Sequence, residues 1–329
     1  SLCSNGHASG FPSCMSAWLR DLFHKSRAQS WCHASKGVTG TALVRGGRRP
    51  GTARVRDDRR MNDDPTTDAP PMPLSLPVLW QDEHLIAIRK PAGWLVHRTG
   101  LDAGETRVVV QTLRDQLGGA HVHPVHRLDK GTCGVLLLAR HPEAARRLGQ
   151  AFMATGEVRK RYLALVRGWA PAEAWVDHAL RPDDAPPDAP AQPAQTRLRR
   201  LASFERLESS DGRFPSTRTS LVEAEPLTGR RHQIRRHLKH LAHPIIGDAT
   251  HGKGPLNRWW AERLGRQRLW LHAQALELTH PFTQEPLRLH SGLGWNAQPG
   301  TFAVNADAPA DTFGDLSGWC RLPAQLSAR

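Results

Sequence analysis

The sequence predicts the α+β class, with an extended, largely antiparallel sheet flanked by helices and loops. Three observations carry this. Apolar runs of strand length are interspersed with segments of helical period, no regular strand-helix-strand repeat links them, and no self-similarity of roughly 20 to 50 residues appears. The 329 residues suffice for one large or two ordinary domains.

Taken in order, VLW and LIAI from residue 78 form two short strands about the polar turn Gln81 to His84, and Lys90-Pro91-Ala92-Gly93 breaks the second. Val109, Val110, Leu113 and Leu117 recur at helical spacing and stop at Gly118-Gly119, which predicts a helix over 107–117. Gly134 to Ala139 is a continuous apolar strand. Pro142 stands where a helix begins, Ala145, Leu148, Ala151 and Phe152 make one face, and Gly156 marks its end. Residues 159–167 and 217–223 alternate as half-buried strands, and between them 181–195 holds five prolines and three aspartates, the composition of a mobile insertion. Residues 231–242 form a basic amphipathic helix ended by His243-Pro244, with Ile234, Leu238 and Leu241 toward the core. Trp259 and Trp260 fall in a further short helix, 268–278 and 286–290 alternate as strands, and 294–329 reads as a loosely attached tail.

Composition narrows the function. The net charge is +14 and points to a polyanionic partner, nucleic acid first. Eleven Lys and Arg against three acids give the first sixty residues +8 of that total, so the partner argument must rest on local clusters in the remainder. Those sixty residues are Ser-, Arg- and Gly-rich without an apolar period. They are expected to be a disordered or non-native leader before Met61, with 61–75 a flexible N-terminus and a transit segment as the alternative. No apolar run approaches the ~18 residues of a membrane span. Cys3, Cys14 and Cys32 lie in the leader without metal-ligand spacing. Cys133 and Cys320 are too few and too far apart for a disulfide framework, which fits a reducing compartment, the cytoplasm. Phosphate-cradling glycine motifs are missing, so no nucleotide cofactor is expected.

Two clusters could carry chemistry. His126-Arg127-Leu128-Asp129 precedes a Gly-containing turn and a buried strand. A carboxylate there, crowded by Arg127 and Lys130, stays ionised and faces a cleft as a nucleophile or base must; a surface salt bridge is the plainer alternative. The run Gly229 to His237 places several cations on one helix, as a phosphate-contacting or simply solvated face. Read together, KPAGWLVH (90–97), HRLDKGTCGVLLLA (126–139), KRYLALVRG (160–168) and TGRRHQIRRHL (228–238) resemble, in order and spacing, the motifs of the RluA family of pseudouridine synthases. The likeness runs over 76–293, the span expected to be the catalytic domain, and GWLVHRTGLD, VVVQTLRDQL and LHAQALELTHPFTQEPL are most like a tRNA-modifying branch of that family.

The resemblance implies a bent mixed sheet with the active cleft along its middle, and conversion of a uridine in tRNA, at position 65 where the acceptor and T arms stack. Asp129 matches the catalytic aspartate; attack on the sugar, attack on the ring and removal of a ribose proton are all open to it. Arg127 matches the arginine that occupies the place of the extruded nucleotide. Tyr162, the chain's only tyrosine, matches the residue that stacks on the target base and assists proton removal from C5, Arg235 the partner of the aspartate, and Ile234 an apolar wall. His126, Arg230, Arg231, Lys160 and Lys239 complete the expected RNA-contacting set. Each role makes physical sense: extrusion costs a few kcal/mol, which stacking and void filling offset, and a cation keeps a buried carboxylate ionised. The reaction is an isomerisation within one substrate, so neither cofactor nor metal is implied, and a monomer is expected. Lys130, Gly131 and Cys133 depart from the family's usual arginine, variable residue and serine. Cys133 reads more readily as a small half-buried thiol than as a nucleophile, while Lys90 and His97 either shape the cleft or close a turn. The alternatives are a ribosomal RNA synthase of the same family, a non-catalytic RNA-binding module, and a metal-dependent hydrolase built on His121, His123 and His126 or on His237, His240 and His243; neither histidine set has a clear carboxylate ligand.

Overall fold

A computed structural model describes residues 75–98, 104–183, 185–186, 188–292 and 320–322. The expectations for the leader, for 61–75 except its last residue, and for most of the tail fall outside them. The strands are β1 (Val78–Gln81), β2 (Leu85–Lys90), β3 (His123–Pro124), β4 (Cys133–Ala139), β5 (Val158–Arg167), β6 (Glu173–Asp177), β7 (Gln195–Arg206), β8 (Thr217–Pro226), β9 (Leu271–Thr279), β10 (Pro286–His290) and β11 (Cys320–Leu322). Among the described residues four helices join them: α1 (Val109–Gln116), α2 (Pro142–Met153), α3 (Gln233–His240) and α4 (Gly254–Arg263).

All eleven strands lie in one sheet, whose main path runs β1-β2-β4-β9-β5-β8-β7-β11, with β3 on β4, β10 on β9 and β6 on β7. Every pairing between named strands is antiparallel except β4 with β9, where Cys133 and Gly134 lie against His272 and Ala273. That one parallel seam is where the loop bearing Asp129 enters the sheet. Gly134 has φ +113, and a Cβ there would stand 2.1 Å from the Ala273 carbonyl oxygen, so only glycine lets the two backbones meet.

Apolar side chains form three clusters. One lies under α3 and α4 and includes Leu198, Val222, Ile234, Leu238, Trp260 and Trp270. A second gathers Trp94, Val109, Leu113, Leu136 and Ala273 around α1, and a third gathers Leu137, Ala144, Leu148 and Leu276 around α2. Each fully buried leucine contributes roughly 1.5–3 kcal/mol. Tyr162 packs against the first two clusters at once, which fixes its ring at the join between the halves of the sheet.

Four features depart from the sequence reading or add to it. Residues 173–177 and 195–206 are strands: the outward arginines Arg197 and Arg199 and a bulge between Arg200 and Ala202 obscure the alternation of β7. The proline-rich insertion between them closes on itself through paired backbone bonds of Leu180 and Gln192, and Leu180 and Ala194 are buried. Within the expected tail, 320–322 pair with Ser203 to Glu205 of β7. The basic helix is also shorter than its periodicity suggests, because His232 adopts a left-handed conformation at φ 55 and Ala242 at φ 63.

The sheet hides a titratable group. His272 is fully buried, its Nδ1 lies 2.9 Å from Cys133 Sγ and its Nε2 2.6 Å from Ser291 Oγ; Cys133 is itself fully buried, more than its sequence suggests. Burial, with Arg268 and Arg89 nearby, pushes the imidazole down to about 3. In the unfolded chain it takes a proton near pH ~6.5, so its contribution is complete above that pH and declines as pH falls toward about 3. The loss is ~1.4 kcal/mol per unit, or about 2 kcal/mol by pH ~5. Thermal melts at about pH 7.5 and about pH 5 should show a decline to which His272 and the similarly lowered His126 both contribute, and His272→Gln should make it shallower by the His272 share. Equal slopes for the two proteins would refute the assignment.

Candidate active site

Asp129 sits in the loop between β3 and β4, and buried bonds fix that loop. Lys90, wholly buried at the end of β2, donates from Nζ to the carbonyl oxygens of Pro91 (3.1 Å), Lys130 (3.2 Å) and Thr132 (2.6 Å). The Thr132 amide donates to the Asp129 carbonyl and the Gly93 amide to that of Lys130. Lys90 is thus a backbone anchor under the cleft. Lys130 pairs with Glu105 at 2.7 Å, and Arg107 pairs with the same carboxylate; Arg107 first and Lys130 second hold Glu105 down to about 2. His126 turns away from the cleft: its ring stacks on Phe152, its Nε2 accepts the Leu137 amide at 3.0 Å, and burial, with Lys160 nearby, lowers it to about 3. Neutral and occupied, it supports the loop from behind and does not reach into the cleft as the sequence suggested. Arg127, between His126 and Asp129, is exposed.

Helix α3 brings the opposing charge. Its first residue, Gln233, is buried; its Nε2 donates to the Gln195 carbonyl and to Thr196 Oγ1, while its Oε1 accepts from Thr228 Oγ1 and the Arg230 amide. The helix start is thereby pinned to β7. Two residues on, Arg235, 7% exposed, donates from Nη1 to Asp129 Oδ2 at 2.9 Å and from Nε and Nη2 to both oxygens of Asp248 at 2.7 and 2.8 Å. Burial opposes the Arg235 charge, but the bonds to Asp248 and Asp129 outweigh it and raise its pKa. His232 Nε2 lies 3.8 Å from Asp129 Oδ2, and its Nδ1 lies 3.1 Å from Asp183 Oδ2; burial keeps this imidazole neutral-leaning. Among the described residues, every recorded contact to the Asp129 carboxylate falls on Oδ2, leaving Oδ1 uncommitted.

Tyr162 enters from β5 at a bulge, in register with Ala273 of β9 and Ala224 of β8. Burial first, and the Asp129 charge second, raise its phenol well above the usual range. The phenol is therefore held protonated, and its ring is neutral. Ile234 lies in the core beneath α3. Lys160 is lowered by burial, and its Nζ stands 4.0 Å from where a Gly229 Cβ would lie, at the head of the basic segment. Arg230 donates to the Pro193 carbonyl, Arg231 approaches Asp183 at 3.6 Å, Arg236 bonds the Arg181 carbonyl and Asp183, and Lys239 is exposed. A cleft of about 440 Å³ opens between Asp183, Lys239 and His251; Asp129, Tyr162 and Arg235 do not line it.

The structure thus brings together Asp129, Tyr162 and Arg235, with Lys160, Arg230, Arg231 and Lys239 along the rim. Three neighbours are absent from the sequence-derived set: Asp248, His232 and Asp183. The stretch Ile245-Ile246-Gly247-Asp248 offered one signal, a glycine before a carboxylate at the end of an apolar run. Asp183 lies in a proline-rich segment whose composition gives no such hint. The two histidine groups are taken up elsewhere: His237 bonds Thr196 and the His178 carbonyl, and His243 the Arg167 carbonyl. Among the described residues no group of three or more His, Cys, Asp or Glu could hold a metal ion, and no helix is long and apolar enough to cross a membrane.

Residues 84–240 match the family described as RNA pseudouridylate synthase. The tRNA pseudouridine synthase C of Salmonella typhimurium is 52% identical over 230 residues, 66% of this chain and 85% of that protein. The chain belongs to the RNA pseudouridylate synthase family. It is an isomerase of the RluA type. The tRNA pseudouridine synthase C of Vibrio cholerae is 47% identical to the synthase over 225 residues, 66% of this chain and 91% of that one. In fold, the synthase is similar to human RNA Pseudouridylate Synthase Domain Containing 1, with a TM-score of 0.53 at 23% identity over 72% of this chain and 89% of the other.

Proposed function

We propose that the protein converts a uridine of tRNA to pseudouridine, at position 65 in the region where the acceptor and T arms stack, acting in the cytoplasm as a monomer without a cofactor. The observation that carries the chemistry is the Asp129 carboxylate, held through Oδ2 by Arg235 with Oδ1 uncommitted among the described residues. The target nucleotide leaves the stem, Arg127 fills its place, and the base stacks on Tyr162. Asp129 starts cleavage of the N1–C1′ bond, the base turns, C5 bonds to C1′, and the proton lost from C5 is balanced by one gained at N1. The relatives named tRNA pseudouridine synthase C support tRNA as the substrate.

Stem recognition here relies on phosphates and shape, since an A-form stem buries its base edges in a deep, narrow major groove. Lys160, Arg230, Arg231 and Lys239 line the approach. Affinity should fall steeply with salt while turnover at saturating RNA falls less. Arg231→Ala and Lys239→Ala should each weaken binding by about three- to tenfold with the saturated rate near wild type. The deciding experiment incubates the protein with unmodified tRNA and with ribosomal RNA fragments and maps pseudouridine by sequencing. Conversion at one tRNA position is the expected result; conversion confined to ribosomal RNA would overturn the tRNA assignment and leave the synthase assignment intact.

A further inference from the structure

Arg235 faces two carboxylates, and it treats them unequally. A guanidinium has five N–H donors in a planar fork and binds a carboxylate best with two parallel bonds. The fork formed by Nε and Nη2 goes to Asp248, and Asp129 receives only Nη1. The Asp248 side chain is 0% exposed, where an unpaired charge would be prohibitive. Its position is fixed independently of Arg235: Oδ1 accepts the Thr250 and His251 amides at 2.9 and 2.8 Å, and its carbonyl accepts Asn257 Nδ2 at 2.9 Å. The Gly247 amide donates to Asn257 Oδ1, and Gly247 has φ +75, with a Cβ site 1.7 Å from the Arg268 carbonyl oxygen. This turn is built before any substrate arrives. Burial works to raise the Asp248 carboxyl, and the bonds from Arg235 and the His251 amide outweigh it, leaving it ionised below its usual range.

We propose that Asp248 is a positioning residue for the reaction: by holding the Arg235 fork it restricts the guanidinium to one oxygen of Asp129 and leaves the other for the substrate. This rests on the reading of Asp129 as the reactive group. Two carboxylates against one guanidinium keep a net negative charge at the site, so Asp129 is oriented without being neutralised. Without the Asp248 charge, Arg235 is free to turn its fork onto Asp129, engage both oxygens and lower their reactivity. The other titratable groups around the pair are Tyr162 on β5, His232 at the head of α3, His251 after Asp248, and Asp183 on the insertion.

The test compares wild type, Asp248→Asn, Arg235→Lys, the double variant and Asp129→Asn in single-turnover assays with excess protein over labelled tRNA. Asp248→Asn should lower the saturated rate by about 100-fold with RNA affinity within about twofold of wild type, and the acid side of its rate–pH curve should move to lower pH, because the uncompensated cation holds Asp129 more firmly ionised. A lysine has no fork, so adding Asp248→Asn to Arg235→Lys should cost less than about fivefold more. A near-wild-type rate for Asp248→Asn, or a fall with the rate–pH curve unmoved, overturns the proposal. If that variant does not fold, Asn257→Ala, which loosens the Asp248 backbone without removing charge, takes its place: a reduced rate at unchanged affinity is expected, and an unchanged rate overturns the proposal. Asp129→Asn separates the two levels. Should it turn over like wild type, the reading of the site fails; should it be inactive while Asp248→Asn is fast, only the role of Asp248 fails.

Discussion

Asp129→Asn should leave a folded, RNA-binding protein that forms no measurable pseudouridine, a loss of at least about a thousandfold, or ~4 kcal/mol in the barrier. The substitution conserves volume and removes the oxygen charge on which every route open to this carboxylate depends. The fold tolerates it for a reason visible in the structure. Removing one partner of a buried ion pair usually strands the other, yet Arg235 retains both bonds to Asp248. Melting temperature and RNA affinity should therefore stay near wild type, with conversion read on labelled tRNA in single turnover. Turnover within tenfold of wild type would remove Asp129 from the chemistry.

The largest expected effect on stability comes from one methyl group. Gly134→Ala places a Cβ 2.1 Å from the Ala273 carbonyl oxygen at a backbone φ of +113. Neither strand can yield easily, because β4 is wholly buried and bonded to β2 on its other side. Overpacking and backbone strain together should cost more than about 4 kcal/mol, a large share of the ~5–15 kcal/mol that holds a domain together. The variant should be recovered largely aggregated, or melt at least ~10 °C lower. The same substitution at Gly149, where nothing lies within 4 Å, is the control. Equal melting temperatures for the two would show that β4 and β9 separate more freely than their register implies.

The contrast between what the sequence displayed and what it hid follows from how each element is stabilised. The β1–β2 hairpin, the fully apolar β4 and the helix opened by Pro142 carry their signals in a few contiguous residues. Strand β7 does not: its inward Thr196 and Leu198 alternate with arginines, and the bulge after Arg200 moves Ala202 out of phase. The candidate site divides in the same way. Asp129, Tyr162 and Arg235 stand inside recognisable runs, whereas Asp248 acquires its meaning only when α3 crosses the turn after Gly247. His126 shows the converse, since adjacency to Arg127 and Asp129 in sequence placed it in the cleft and its ring stacks on Phe152 instead.

The parallel seam also sets an order of events during synthesis. Cys133 and His272, which meet there, are 139 positions apart, so closing the seam carries the entropy of a long loop and belongs among the slow steps of folding. On a ribosome adding ~5–20 residues per second, β4 emerges about 7 to 28 seconds before β9, and until then β3 covers only Leu138 and Ala139 on the edge opposite β2, leaving Cys133 and Gly134 without their partner. All seven residues of β4 are buried in the finished protein, which makes this interval the one in which the nascent chain is most exposed to association with other chains. The catalytic loop feeds directly into that strand, and its partners Arg235 and Asp248 follow it by more than a hundred residues, so a polypeptide released before them would carry the Asp129 motif without an assembled site.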